Sequence, residues 1–209
     1  MRTIKFSVSD DEEIRGYSVE EFEKITGVKY LSHLEYRDKK IFNRSLCQCK
    51  KALEEKLFSE DVEDAGEVYS QCVRDGCVAD VFIKWICSKI GHGLFADKNL
   101  KKGDYIGEYT GVVFPEVEAD FENRYYFTYP TAEIKYFRKL LIDSCYKGNE
   151  IRYINHSDEP NAEVKNVIVD GMVHVILCAL KPIPRGIQIT YDYSEDYWKA
   201  LGANPQLNR

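Results

Sequence analysis

Apolar residues recur at helical spacing in three stretches of the first 80 residues. The first follows Ser18 and Glu21, which fit a capping box because each side chain can bond the other residue's backbone N–H. The second covers Arg44–Phe58, and the third begins near Ser59, with acidic residues in its first turn. The apolar positions of the first two stretches are Phe22, Ile25 and Val28, then Leu46, Leu53 and Leu57. We therefore predict a small helical region over residues 1–80 that packs on the rest of the chain.

From Val81 onward the pattern changes to short strands. Runs rich in β-branched and aromatic residues alternate with Gly, Pro, Asn or Asp, and little helix lies between them. The predicted strands are Val81–Ile86, Tyr105–Val113, Tyr125–Tyr129, Leu140–Asp143, Val167–Asp170, Met172–Leu180 and Ile187–Tyr193. This pattern indicates an irregular, mainly β domain with some α over residues 81–198, and residues 199–209 are expected to form a C-terminal tail.

Composition and charge narrow the possible functions. The chain has 209 residues, of which 44% are apolar and 31% charged, as is ordinary for a soluble globular protein with a real core. No apolar run approaches the roughly 20 residues that span a bilayer, and residues 1–10 lack the apolar region of a signal peptide, so we expect no membrane partner. The net charge of −6 argues against direct binding to nucleic acid and favours a basic, Lys/Arg-rich protein partner.

The cysteines favour free thiols. Seven is an odd number without the density of a secreted disulfide framework, so a reducing compartment is expected. One alternative is a four-cysteine zinc site, although its Cys-x-Cys spacing is tighter than that of the usual structural motifs. Its ligands would be Cys47, Cys49, Cys72 and Cys77. Buried or free thiols are the simpler interpretation, and we expect no metal.

Four segments are candidates for chemistry. They are Gly91–Ala96 (GHGLFA), Tyr105–Gly111 (YIGEYTG), Arg152–Asn161 (RYINHSDEPN) and Arg185–Tyr193 (RGIQITYDY). The Gly-x-Gly pair of the first segment is a weak signal by itself and also fits a turn between strands. Two glycines would nevertheless let the backbone approach a ligand closely, because no Cβ intervenes.

The order and spacing of these segments resemble the SET-domain protein lysine methyltransferases. That family has a Gly-x-Gly loop, a Y-x-G strand, an R-F-I-N-H-S-C-x-P-N segment and a G-E-E-L-T-Y-D-Y segment. Asp143 and the Gly148–Asn149 pair also stand where the family places I-D and G-N. The resemblance covers Phe82–Trp198. Because the sequence has no cysteine-rich flanks, it is most similar to the stand-alone bacterial SET proteins of chlamydial type.

This resemblance implies both a fold and an activity. The fold would be the SET fold of small curved β-sheets, with a C-terminal segment threaded beneath a loop so that Asn155–Asn161 and Gln188–Tyr193 meet. The activity would be transfer of a methyl group from S-adenosylmethionine to a lysine of a basic protein, a histone or a histone-like protein. The alternatives are a SET-like module that binds basic peptides without turnover and a structural metal-binding protein. The implied location is the bacterial cytoplasm or, after secretion, the host cell and its nucleus.

The resemblance also implies roles for single residues. Those that would bind S-adenosylmethionine are Gly91, His92, Gly93, Tyr125, Asn155, His156, Tyr193 and Trp198, with Tyr197 as an alternative cover for the adenine. Tyr193 would be the catalytic hydroxyl, Tyr109 would line the lysine channel, and Tyr191 would limit products mainly to mono- and dimethyl-lysine. Packing roles remain the alternative for these tyrosines and for His156.

One departure from the family bears on metal binding. Asp158 replaces a cysteine that relatives share with three more C-terminal cysteines in a zinc site. Because Cys178 is the only cysteine beyond Asp158, that zinc site cannot be built from this sequence.

Overall fold

The structure, a computed structural model, describes residues 2–9, 12–120, 123–130 and 139–200. The helices are α1 Val19–Thr26, α2 Lys39–Glu54, α3 Glu60–Arg74 and α4 Ser194–Ala200, and two 3₁₀ helices cover Glu116–Glu118 and Glu150–Tyr153. The strands are β1 Thr3–Phe6, β2 Arg15–Ser18, β3 Lys29–Tyr30, β4 Glu35–Tyr36, β5 Val81–Cys87, β6 Gly91–Ala96, β7 Tyr105–Glu108, β8 Val112–Pro115, β9 Tyr126–Thr128, β10 Leu140–Asp143, β11 Lys147–Gly148, β12 Asn155–His156, β13 Ala162–Val169, β14 Met172–Ala179 and β15 Thr190–Tyr191. The prediction of a mainly β protein with some α is confirmed. Within the described ranges, no helix is long and apolar enough to cross a membrane.

The start of α1 is set by a local signal. The predicted capping box is present, because the Ser18 hydroxyl accepts a bond from the Glu21 N–H and the Glu21 carboxylate accepts one from the Ser18 N–H. Gly27 ends the helix with φ of 70°, a left-handed conformation that glycine adopts at low cost. Ser59 occupies the N-cap position of α3, also as predicted.

The bounds and the buried face predicted for α2 are wrong. The helix begins after Asp38, whose carboxylate accepts a bond from the Ile41 N–H over 2.9 Å, and it ends at Glu54. Leu46 and Leu57 are exposed, at 42% and 52%. The buried stripe consists instead of Ile41, Ser45, Gln48, Cys49 and Ala52. Three of these five residues are small, which lets α2 lie close to β14.

The first 80 residues, which we predicted to be mostly helical, also contain the four short strands β1 to β4. β1 pairs in parallel with β5, β3 with β11, and β4 with β8, so the N-terminal part extends sheets formed by the rest of the chain. Strands of two to four residues carry too little periodicity to be recognised in a sequence. The boundary between residues 80 and 81 stays a prediction, and residues 201–209 of the predicted tail lie outside the described ranges.

Three small sheets surround the site, and the pair β12-β15 within it forms a separate two-stranded sheet. The strand orders of the three sheets are β2-β1-β5-β6, β4-β8-β10-β9 and β13-β14-β7. The single strand predicted over Tyr105–Val113 is broken, because β7 pairs with β14 whereas β8 pairs with β10. At Gly111, inside that break, a Cβ would lie 2.4 Å from the Asp143 carbonyl oxygen, so the chain can change sheets there only with glycine.

Candidate active site

Two segments of the C-terminal half run side by side at the site. β12 pairs in parallel with β15, with Asn155 opposite Thr190 and His156 opposite Tyr191. The Asn161 side chain joins the same segments, since its amide donates to the Gln188 carbonyl over 2.8 Å and its oxygen accepts from the Thr190 N–H over 2.9 Å. The expected meeting of Asn155–Asn161 with Gln188–Tyr193 is confirmed, although the predicted strand over Ile187–Tyr193 is reduced to β15.

The Gly-x-Gly pair lies in strand β6 rather than in a turn. Its first glycine, Gly91, has φ of 80° and no atom within 4 Å of the place where a Cβ would stand. Gly93, in contrast, is tightly enclosed, because a Cβ there would lie 2.8 Å from Gln188 Nε2 and 3.1 Å from Asn155 Nδ2. Asn155 also donates from Nδ2 to the His92 carbonyl over 3.1 Å. The glycine strand and both C-terminal segments therefore converge around Gly93.

Aromatic rings surround Tyr193. Its ring centroid lies 4.7 Å from that of Tyr191 and 4.6 Å from that of Tyr197. The Trp198 ring is nearly parallel to it, at 6.1 Å and 23°, and stands 5.0 Å from the His156 ring. The structure thus brings the predicted Tyr193, Tyr191, His156 and Trp198 together, and Tyr197 packs against Tyr193 and Trp198.

The Tyr193 hydroxyl has a defined hydrogen bond. It donates to the Ile154 carbonyl oxygen over 2.8 Å, while the Tyr193 backbone N–H donates to His156 Nδ1 over 3.2 Å. Because the hydroxyl proton is directed at Ile154, the lone pairs of the Tyr193 oxygen remain available to accept a bond from another donor.

A second group of rings continues from Tyr191. The Phe127 ring lies 6.3 Å from that of Tyr191 and 5.2 Å from that of Tyr109. The Tyr109 hydroxyl donates to the Tyr125 carbonyl over 2.8 Å, which joins β9 to the end of β7. We did not predict Phe127 as a site residue. Its position two residues after Tyr125 in an extended segment was the signal that both lie on one face.

The tyrosines at this site stay neutral at ordinary pH. Burial raises the pKa of Tyr109, Tyr191 and Tyr193 well above the usual value near 10, because desolvation disfavours the charged phenolate. These hydroxyls therefore serve as hydrogen-bonding groups, and none of them can act as a base at pH 7.

The His156 ring holds the loop in which it lies. Nδ1 accepts from the Tyr193 N–H, and Nε2 stands 3.3 Å from the Asp158 carboxylate, so the hydrogen bonds assign a donor proton to Nε2. Asp158 is the residue that replaces the expected cysteine. It supplies a hydrogen-bond partner for His156 where a relative would have a zinc ligand.

Tyr125 lies under a cation. The Arg152 guanidinium stands 4.0 Å above the centroid of the Tyr125 ring and 4.8 Å from that of Tyr153. Arg152 also donates to the carbonyls of Ser144 over 2.7 Å and of Cys145 over 3.0 Å. Arg152 is the first residue of the Arg152–Asn161 segment, but we predicted no role for it from the sequence. Its contacts place it beside Tyr125, which we predicted to bind the cofactor.

The residues present fit S-adenosylmethionine. Gly91 leaves open space at the strand surface, Gly93 admits no side chain, and Asn155 lies against Gly93 and bonds to the His92 carbonyl. The Tyr193 and Trp198 rings lie nearly parallel beside His156, and aromatic faces of this kind can stack on an adenine or contact a sulfonium group. These roles stay predictions.

No metal cluster is assembled in the described part of the chain. No three His, Cys, Asp or Glu side chains are grouped there so that they could hold a metal ion. Cys49 is buried whereas Cys47 is exposed, so two ligands of the alternative four-cysteine site differ in their exposure to solvent. The expectation of no metal stays a prediction.

Comparison with known proteins identifies the fold family. Residues 91–194 match the family model described as SET domain. Together with the pairing of β12 and β15, this match shows that the chain contains a SET domain. The SET fold predicted from the four motifs is therefore confirmed.

The similar curated proteins share the same kind of name. Histone-lysine N-methyltransferase ASHH3 of Arabidopsis thaliana is 34% identical over 110 residues, which are 50% of this chain and 30% of that protein. Human Histone-lysine N-methyltransferase 2B is 33% identical over 110 residues, 49% of this chain and 4% of that protein. A Variant-silencing SET domain-containing protein of Plasmodium falciparum is 32% identical over 145 residues, 66% of this chain and 6% of that protein. The chain spans less than a third of each of these relatives.

Solved structures agree on the fold. A ctPRC2 in its apo form with two mutations in Ezh2 matches with a TM-score of 0.52 and 26% identity, over 59% of this chain and 16% of that chain. The Chaetomium thermophilum polycomb repressive complex 2 matches with a TM-score of 0.51 and 24% identity, over 59% of this chain and 16% of that chain, and supports the fold alone.

Proposed function

We propose that this chain is a protein-lysine N-methyltransferase. It would transfer a methyl group from S-adenosylmethionine to a lysine side chain of a basic protein, a histone or a histone-like protein. The observation that carries the proposal is the convergence of the glycine strand with both C-terminal segments beside Tyr193. The names of the matched relatives support it.

The cofactor would lie against strand β6. The backbone of Gly91, His92 and Gly93 would line one side of it, because the glycines allow close approach, and the Asn155 amide would fix its orientation. Trp198 or Tyr197 would cover the adenine ring by stacking. When bound, S-adenosylmethionine supplies an electrophilic methyl group attached to a positively charged sulfur.

The aromatic rings on the other side of Tyr193 would receive the lysine. Free lysine has a pKa near 10.4, so holding its amine neutral at pH 7 costs about 4.6 kcal/mol. Only the neutral amine has a lone pair for attack on the methyl carbon. A channel lined by Tyr109, Phe127 and Tyr191 is poor in water and therefore disfavours the ammonium form. It also restricts the amine to a narrow range of approach, which lowers the entropic part of the barrier.

The two tyrosines of Thr190–Tyr193 would have different roles. Tyr193 already donates its proton to Ile154, so its oxygen can accept an amine N–H and direct the lone pair at the methyl group. In the part of the chain that the structure describes, the Tyr191 hydroxyl makes no hydrogen bond. It could hold the amine or a water where further methyl groups would otherwise stand. We propose mono- and dimethyl-lysine as the main products.

The acidic character of the chain supports a basic substrate. Its net charge is −6 and its pI about 5.4, which suits a Lys/Arg-rich tail. We further propose the chlamydial type of SET protein, since Asp158 takes the place of a zinc-binding cysteine. Its substrate would then be a bacterial histone-like protein in the cytoplasm or, after secretion, a host histone in the nucleus.

Two measurements test this function. Calorimetric titration with S-adenosylmethionine reports cofactor binding, and transfer of label from methyl-labelled cofactor to purified histones and to total bacterial protein reports catalysis. We expect both. Binding without transfer to any substrate would identify a peptide-binding module instead, and the absence of cofactor binding would contradict the proposal altogether.

A further inference from the structure

An N-terminal arm, residues 2–9 and 12–26, lies behind the glycine strand. It contains β1, β2 and α1 and precedes the segment that matches the SET domain. β1 pairs in parallel with β5, with Phe6 opposite Ile83, and β5 pairs antiparallel with β6. The arm therefore belongs to the same sheet as Gly91–Gly93, two strands away.

The arm holds the side chain of His92, the residue between the two glycines. The Phe6 ring stacks on the His92 ring, with centroids 4.8 Å apart and an angle of 25°. His92 Nε2 stands 3.1 Å from the Ser7 carbonyl oxygen, to which a protonated Nε2 donates. The centroid of the Trp85 ring lies 5.1 Å from that of His92 in an edge-to-face arrangement, and the Trp85 backbone N–H donates to the Ser7 hydroxyl. The His92 imidazole therefore contacts the rings of Phe6 and Trp85, and its Nε2 bonds to Ser7 of the arm.

The arm also holds the segment that leads to Asn155. Arg2 donates from Nε and Nη2 to one oxygen of Glu150, over 3.1 and 2.9 Å, and the Tyr30 hydroxyl donates to the other oxygen. The Glu150 side chain is only 5% exposed, so this pair is largely removed from water. Glu150 begins the 3₁₀ helix Glu150–Tyr153, which ends one residue before Ile154 and two before Asn155.

We propose that the N-terminal arm positions the cofactor site, with Phe6 and Ser7 fixing His92 and Arg2 fixing Glu150. The inference rests on the proposed function and deepens it. The bond from Asn155 to the His92 carbonyl joins the two segments that the arm holds, and it lies beside the enclosed Gly93. Phe6, Ser7 and Arg2 touch neither cofactor nor lysine in this account, so they are positioning residues.

The experiment uses the full chain and measures cofactor binding directly. Phe6→Leu removes the stacked ring while retaining most of its volume. Arg2→Gln removes the ion pair but retains a side-chain amide that can donate to Glu150, and Tyr30 still donates to the same carboxylate, so this second variant is a separate test if Phe6→Leu does not fold. Val167→Ala is the control, because Val167 is fully buried in a separate cluster that packs against α3. It lowers the unfolding free energy without touching the arm.

A purely structural arm and a positioning arm give different results. For a positioning arm, we expect both arm variants to raise the dissociation constant for S-adenosylmethionine by about three- to tenfold, as for loss of one hydrogen bond or packing contact. The KM for a peptide substrate stays unchanged, and the control binds the cofactor normally despite a lower melting temperature. Cofactor affinity that is unchanged in both folded arm variants, or lowered equally in the control, would overturn the inference. Failure of the unaltered chain to bind the cofactor would overturn the proposed function and this inference with it.

Discussion

The Tyr193 hydroxyl donates a hydrogen bond to the backbone carbonyl of Ile154 over 2.8 Å. Ile154 directly precedes Asn155, which bonds to the glycine strand. A single bond therefore couples the proposed catalytic hydroxyl to the segment that would hold the cofactor. It also fixes the direction of the hydroxyl proton, so that the oxygen is oriented before any lysine arrives.

Replacing Tyr193 with phenylalanine tests this orientation. We expect Tyr193→Phe to lower kcat on the order of 10²-fold or more, as for loss of one preorganised polar group at a reacting centre. The ring remains, so stacking against Trp198 and the cofactor affinity change little. Steady-state kinetics and calorimetry measure the two effects. Tyr146→Phe, at a position that is 76% exposed, is the control, and full activity of Tyr193→Phe would contradict the assignment.

Tyr191→Phe should change the products rather than the rate. Its hydroxyl makes no hydrogen bond within the described ranges, so removing it disturbs few contacts. A water or amine that it anchors would then leave more easily, and a methylated amine could rotate for another transfer. We expect a shift towards di- and trimethyl-lysine, followed over time by mass spectrometry of a peptide substrate. An unchanged product distribution would remove the proposed role.

Asn155→Ala should weaken cofactor binding. The Asn155 amide bonds to the His92 carbonyl and lies 3.1 Å from the position of a Cβ on Gly93. Loss of a buried polar contact costs roughly 1–3 kcal/mol, so affinity should fall by about tenfold or more. Calorimetry on the folded variant measures it. Asn166→Ala, on the exposed side of β13, should bind normally, and equal affinity in both variants would show that Asn155 is not part of the site.

The pH dependence of stability should contain a contribution from His92. Burial lowers the pKa of this imidazole below its usual 6.5, because desolvation disfavours the charged form, so the folded state prefers neutral His92. The contribution of His92 to the unfolding free energy is complete above the pKa that His92 has in the unfolded chain. It is lost as the pH falls through the pKa that His92 has in the folded protein. The unaltered protein should therefore lose more unfolding free energy below pH 6.5 than His92→Gln does. Denaturant titrations at several pH values test this, and identical pH profiles would count against it.

Local signals explain which parts of the fold could be predicted. The capping box of Ser18 and Glu21 lies within four residues, and the strands β10 and β14 carry their own apolar runs. The start of α2 was missed although Asp38 caps Ile41, because no apolar run follows Asp38 directly. The two-residue strands β3 and β4 have no local signal, since their stability comes from partners far along the chain.

The site divides in the same way. Asn155, Tyr191 and Tyr193 were predicted as site residues because they lie within the short motifs that resemble the family, and their roles stay predictions. The stacking of Phe6 on His92 and of Arg152 on Tyr125 joins residues that are 86 and 27 positions apart. Such contacts depend on how separate sheets pack, so they could not be predicted from the sequence and were found only in the structure.

The mass of the product is the most direct test of methyl transfer to lysine. Purified histones and a bacterial histone-like protein are incubated with the full chain and isotopically labelled S-adenosylmethionine, with strong chelator present, and then analysed by mass spectrometry. We predict labelled mass increments of one and two methyl groups on lysine, undiminished by chelator and formed on the order of 10²-fold or more slowly by Tyr193→Phe. The absence of labelled lysine in every substrate, with a chain that binds the cofactor, would contradict this prediction.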